Sequence, residues 1–404
     1  MYRKSGQILK KAKKFIPGGS SAESGRVQTL FAAETGPAFF RQAQGSVVTD
    51  ADGQAYVDFG MGSGCSILGY NHPAVVEALD RELKKGFVSS LPSVLEPRLA
   101  ELIVELFPSV EMVRFLRTDE EAYRAAVQLA RVLTSRRCVL ASGASRWLDP
   151  QAGGPGLPED MRTGGAEFRF NDPQHFLDRL QGLPELPAAV VMEPVVLAHP
   201  DLEFLRLIRE TCLRFGIVLI WDEVETGARL APGGAQEYYG FTPDLTVLGR
   251  AVASGMPLAA VGGRQKLMEG WKRLSIPAAS APDSLGLASA LATLRFVRDN
   301  PVDDHIEKVG GRLLAGFEKI ADVFPGLCRF AGIPHISAIG LRRDIPGLED
   351  IEPDFYQWLL RCGLIIPRRG NIYPSFAHTD DQVEDGLYAL NQVFDRLQRA
   401  IDRD

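Results

Sequence analysis

The chain has 404 residues, 45% of them hydrophobic and 24% charged, with a formal net charge of −6. That length buries a large core and predicts two or more structural parts. The acidic balance and ordinary globular composition give no electrostatic reason to expect nucleic acid as a partner.

Residues 5–16 predict a short amphipathic helix with Ile8, Leu9, Ala12 and Phe15 on one side and Lys10, Lys11, Lys13 and Lys14 as its solvated face. Pro17-Gly18-Gly19 ends it, and no continuous apolar core for a signal peptide is present. Gly45–Phe59 (GSVVTDADGQAYVDF) predicts a hairpin around the Asp52-Gly53 turn. Ile67–His72 then precedes Pro73 and a helix through Leu83.

From here strands and helices alternate, which argues for a mostly parallel sheet flanked by helices. Met112–Leu116, Cys138–Ala141, Ala188–Met192, Ile217–Trp221 and Leu245–Leu248 read as strands, and Glu120–Leu133 and Leu202–Phe215 as helices. Residues 142–166 are rich in Gly and Pro and read as a loop. A long helical region follows Leu285, and Val383, Leu387, Leu390, Phe394, Leu397 and Ile401 mark a C-terminal amphipathic helix. The expected division is a segment 1–60 packing with a small α+β domain 300–404, and a large α/β domain 61–299.

The five cysteines are odd in number, scattered and without Cys-x-x-Cys spacing, and the six histidines show no ligand spacing. A disulfide framework and a metal site are therefore not expected. No run approaches the roughly 18 apolar residues of a membrane span. The expectation is a soluble, cytoplasmic protein with no membrane partner.

Four stretches carry a specific resemblance: Asp222-Glu223-Val224-Glu225-Thr226-Gly227, Ala231–Tyr239 (APGGAQEYY), Gly255–Gly263 and Tyr373–Asp380 (YPSFAHTD). With collinear similarity along nearly the whole chain, they resemble the class III aminotransferases, pyridoxal-phosphate enzymes of fold type I that include glutamate-1-semialdehyde aminomutase. The resemblance implies a seven-stranded-type, mostly parallel sheet flanked by helices. It also implies a smaller α+β domain built from the C-terminal region and the N-terminal segment, and a homodimer.

The resemblance further implies that Asp222 sits where the family pairs the cofactor's pyridine nitrogen, with Val224 beneath the ring and Glu193 at a neighbouring strand end. The residue after Leu248-Gly249, the Schiff-base lysine of the family, is here Arg250. Guanidinium stays protonated and is a poor nucleophile, so covalent attachment of pyridoxal phosphate is not expected. The family's phosphate-gripping turn corresponds to Thr118-Asp119-Glu120-Glu121. Thr118 and Glu121 form a capping box, and Asp119 and Glu120 bring negative charge to the helix N-terminus. At about 5 Å and an effective dielectric near 20, each like-charge pair would cost roughly 3 kcal/mol against a bound phosphate. The family's other phosphate contact maps near Ala278-Ala279, where no such chemistry is retained.

Arg117, Arg146 and Arg250 fall where the family has Asn, His and Lys, and either converge on a small anionic ligand or neutralise Asp119, Glu120, Asp222 and Glu223. Arg250 is the cation expected to face Asp222. Three functions stay open. One is a cofactor-independent biosynthetic enzyme in which Arg117, Arg146 and Arg250 bind an anionic substrate, Asp222, Glu193 or Glu223 supplies acid–base chemistry, and Thr118, Glu223 and Val224 line the ligand site. A second is a non-catalytic scaffold or regulatory subunit. The third is an enzyme holding pyridoxamine phosphate without a covalent bond.

Overall fold

A computed structural model of the chain describes residues 2–22, 25–33, 35–142, 166–276, 281–368 and 370–402. They form two units, residues 1–72 with 304–404, and residues 73–303.

The first unit opens with α1 (Arg3–Ala12). It stops four residues short of the expected end, because Pro17 holds Ile16 extended at φ −124° and the chain turns over residues 13–15 beforehand. After α2 (Val27–Phe31), strands β1 (Phe40–Gln44), β2 (Val47–Asp50) and β3 (Ala55–Asp58) run antiparallel in turn. The expected hairpin is β2–β3, with Val47 opposite Val57. Asp50 Oδ1 closes its turn by accepting from the backbone N–H of Asp52 and of Gln54, each at 2.9 Å.

The second unit runs from α3 (Pro73–Leu83) and α4 (Leu95–Leu106) into β4 (Met112–Leu116), α5 (Asp119–Thr134), β5 (Val139–Ser142), β6 (Ala166–Glu167) and α6 (Pro173–Gln181). It continues with β7 (Ala189–Met192), α7 (Leu202–Phe215), β8 (Val218–Asp222), α8 (Gly234–Tyr239), β9 (Leu245–Leu248), β10 (Ala259–Gly263), α9 (Gln265–Met268) and α10 (Ser284–Asp299). The strands form one seven-stranded sheet in the order β4-β10-β9-β8-β7-β5-β6. Strands β9, β8, β7, β5 and β6 pair in parallel, and β10 is antiparallel to both neighbours. All five residues of β8, VLIWD, are buried, as a parallel strand covered on both faces requires. The end of the expected 142–166 loop is the start of β6, and residues 143–165 lie outside the described residues.

The first unit is completed by α11 (Val302–Val323), the antiparallel pair β11 (Cys328–Ile333) and β12 (Ile336–Leu341), α12 (Leu348–Arg361), β13 (Leu364–Ile365) and α13 (Asp380–Ile401). Strand β13 joins β3 in parallel, Leu364 opposite Val57, so C-terminal and N-terminal segments share a four-stranded sheet. Val383, Leu390, Phe394 and Leu397 of α13 are buried at the expected helical spacing. Phe394 packs on Phe355 with ring centroids 5.1 Å apart. This is the small α+β domain expected from the sequence.

Candidate active site

In open α/β sheets, ligands gather beyond the carboxyl ends of the parallel strands. Strands β8 and β9 are parallel neighbours, and their carboxyl ends carry Asp222 and Gly249-Arg250. Arg250 opens a short 3₁₀ turn with φ 43°, a left-handed conformation uncommon for a residue with a side chain. Its Nη1 donates to Glu225 Oε1 at 2.7 Å, and its Nε lies 3.6 Å from Asp119 Oδ2. Arginine and both carboxylates are each less than a third exposed, so the triad is only partly screened by water.

Asp119 reaches this position from the first turn of α5. Burial pushes its carboxyl above the ordinary aspartate value, against the lowering influence of Arg250. A Cβ on Gly249 would lie 2.1 Å from Asp119 Oδ1, so the carboxylate rests against a backbone that only glycine leaves bare. The rest of the helix start is closed by the chain itself. Thr118 Oγ1 accepts from the N–H of Glu121 at 3.2 Å, and Glu121 Oε2 accepts from the N–H of Thr118 at 3.1 Å and of Arg117 at 3.3 Å. Glu120 is held by Arg124 one turn on. The capping box read from the sequence is thus present.

The ion pairs that Arg250 makes among the described residues go to Glu225 and Asp119, not to Asp222 as expected from the sequence. Asp222 is buried, and its Oδ1 accepts from the N–H of Val224 at 3.1 Å, capping the turn that follows β8. Val224 is buried in the core of the large unit, and Glu193 is half-buried just after β7.

Glu223 corrects a second expectation. It is fully buried on the interior side of the turn, where Oε2 accepts from Thr226 Oγ1 and from the N–H of Ala235, and Oε1 accepts from Gln236 Nε2 at 2.9 Å. Gly234 makes room for it, with φ 73° and space beside the carboxylate that a Cβ would invade. Burial raises its carboxyl to about 7. Glu223 therefore ties the β8 turn to the start of α8 and is not available to a ligand.

Arg117 turns to a different segment from Arg250. Its Nε donates to the Ala281 carbonyl at 2.9 Å and its Nη2 lies 3.9 Å from Asp283. It lines a cavity of about 1020 Å³ with Arg114, Ser89 and Asp283. Arg146 and Ala278-Ala279 lie outside the described residues, so only two of the three arginines have described partners, and these two share none. Glu225 is the site residue that sequence reasoning missed. Its signal was its place three residues beyond the strand-end Asp222, where a turn returns the chain to the same edge. Among the described residues no group of three or more His, Cys, Asp and Glu is placed to hold a metal ion, and no helix is long and apolar enough to cross a membrane.

Comparison with known proteins places this geometry in context. Residues 30–142 and 175–394 match the family model of Aminotransferase class-III. The glutamate-1-semialdehyde 2,1-aminomutase of Desulfatibacillum aliphaticivorans is 32% identical over 434 residues, covering 98% of this chain and all of that protein. That of Desulforudis audaxviator is 33% identical over 432 residues, covering 97% of each. Among solved structures, the pyridoxal-phosphate internal aldimine form of the Sphingopyxis FumI protein superposes with a TM-score of 0.88 at 28% identity, over 98% of this chain and 97% of that one. A glutamate-1-semialdehyde aminomutase from Pseudomonas aeruginosa shares the fold, with a TM-score of 0.83 at 22% identity, over 98% of this chain and 94% of that one. The chain belongs to the class III aminotransferase family.

Proposed function

We propose that this chain is a non-catalytic member of its family, in which an ion-pair lock stands where relatives attach their cofactor. The single observation that carries the reading is the commitment of Arg250 to Glu225 and Asp119 at the end of β9. A Schiff base needs an amine that sheds its proton, whereas a guanidinium held by two carboxylates stays charged. The helix start that would receive a phosphoester carries Asp119, Glu120 and Glu121 in its first turn, and a dianion there would be repelled rather than drawn in. The residues present therefore do not fit covalently held pyridoxal phosphate. Glu223 serves the fold, and Asp222 caps its own turn.

The test is to incubate the purified chain with pyridoxal phosphate, reduce with borohydride and map the peptides by mass spectrometry. The reading expects no stoichiometric, site-specific adduct and no retained chromophore. An adduct at unit stoichiometry, or pyridoxamine phosphate retained through gel filtration, would sink it.

A second reading, binding of a small anion without the cofactor, is favoured by one observation. Arg117 is half-exposed at a large cavity and spends one N–H on a carbonyl and a long contact on Asp283. Anion binding lost in Arg117→Ala would support it. A homodimer is also proposed, and the exposed run of Phe87, Val88, Leu91 and Val94 on the large unit supports it. Sedimentation of the chain as a monomer at micromolar concentration would refute it.

A further inference from the structure

The C-terminal halves of α12 and α13 flank a groove of about 650 Å³ on the small unit, well separated in sequence from the Arg250 lock. Its charge is opposite in sign to that of the whole chain: Arg361, Arg396 and Arg399 line it against one carboxylate, Asp395. Asp395 is already engaged, with Arg399 at 2.8 Å. Arg361 and Arg396 make no ion pair with any described residue. Elsewhere a carboxylate one turn away orders a helical guanidinium, as Glu120 does for Arg124 and Asp395 for Arg399. Arg396 is ordered differently, its guanidinium carbon 4.3 Å from the centroid of the Trp358 ring. A guanidinium held on a ring face keeps its N–H edge for in-plane hydrogen bonds, and such an edge matches the oxygens of a phosphate. The volume of the groove is that of a small-ligand site.

We propose that this groove binds a phosphate group, free or carried by a small monoester, between Arg361 and Arg396. The non-bridging phosphate oxygens accept from both guanidiniums, and Gln392 also lines the groove. Because Trp358 is already covered by Arg396, the groove selects for the anion and not for a stacked base.

The experiment is calorimetric titration of the full chain with glycerol phosphate, with inorganic phosphate, and with sodium chloride at matched ionic strength. It is repeated on Arg361→Ala, Arg396→Ala and Arg396→Lys. The expected result is saturable binding of the phosphate compounds and none of chloride, weakened about tenfold by each alanine substitution. Arg396→Lys should recover only part, since the charge returns without the fork. Tighter binding of the ester identifies an esterified ligand, and equal binding identifies free phosphate; both support the site. Binding unchanged in the two alanine variants, or no saturable binding in the parent chain, overturns the proposal. So does a loss of thermal stability in the variants with no change in phosphate affinity, since that is what neutralising the helix ends alone would give.

Discussion

Arg250 Nη1 and Glu225 Oε1 stand 2.7 Å apart at the rim of the sheet, with Asp119 closing on the same guanidinium from α5. Two carboxylates brought together in partly dry surroundings need a cation between them: burial pushes Asp119 upward and Glu225 adds to it, while Arg250 opposes both. Arg250→Met removes the cation that both carboxylates share. The expected cost at neutral pH is about 2 kcal/mol, read from urea unfolding. The sign of its pH dependence follows from Asp119, whose folded carboxyl lies above the ordinary value and would rise further without Arg250. A group raised on folding favours the folded state as pH falls. The variant should therefore recover towards the parent chain in mild acid. Equal stability at neutral pH would show that the lock is ornamental.

Arg250→Lys separates charge from geometry. The ammonium still neutralises but lacks the fork that spans Glu225 and Asp119, so a loss of under about 1.5 kcal/mol is expected. The acidic start of α5 remains, and no transamination of any amino donor should appear in a coupled assay. Measurable turnover in this single variant would show that Asp119 and Glu120 do not bar the phosphoester.

Glu223 carries a second pH signature. Its carboxyl is raised by burial to about 7, from roughly 4.3 in an unfolded chain. The folded state thus holds the proton longer, and stability from this group is present in acid and falls as pH rises through that window. The loss amounts to about 4 kcal/mol if the whole shift is expressed. Glu223→Gln removes the titration, so the parent chain should lose stability relative to the variant between about pH 4.5 and 7. Parallel unfolding curves across that range would mean the carboxyl is not raised.

The local signals that named elements were short-range, and they held where short-range physics decides. The apolar run before Asp222 is a buried strand, and the Thr118–Glu121 spacing forms both hydrogen bonds of its box. What the sequence did not show was the direction taken after β8. Four consecutive residues, Asp222 to Glu225, include three carboxylates, and only the turn geometry sends Glu223 inward to the N–H of Ala235 and Glu225 outward to Arg250. The pairing of Arg250 with Asp119 was equally hidden, because the two are 131 positions apart in the numbering and meet through the sheet order. Helix α4 was readable, from Leu95, Leu99, Leu102 and Ile103 at helical spacing, yet its exposed flank of Ser and Pro residues masked it.

Gly249 tests whether the lock is built into the backbone. It is extended, with φ −170°, so a side chain there meets no torsional objection. The obstacle is Asp119 Oδ1, 2.1 Å from where a Cβ would stand, with Val224 Cγ2 at 3.4 Å behind. Gly249→Ala must push the carboxylate off the strand end and lengthen its contact with Arg250, at an expected cost of about 1–3 kcal/mol. If that cost comes from the displaced carboxylate, Asp119→Ala should relieve it, and the double variant should be more stable than the sum of the singles by at least about 1 kcal/mol in a double-mutant cycle. Strictly additive losses would place the strain elsewhere and separate Asp119 from the glycine that makes room for it.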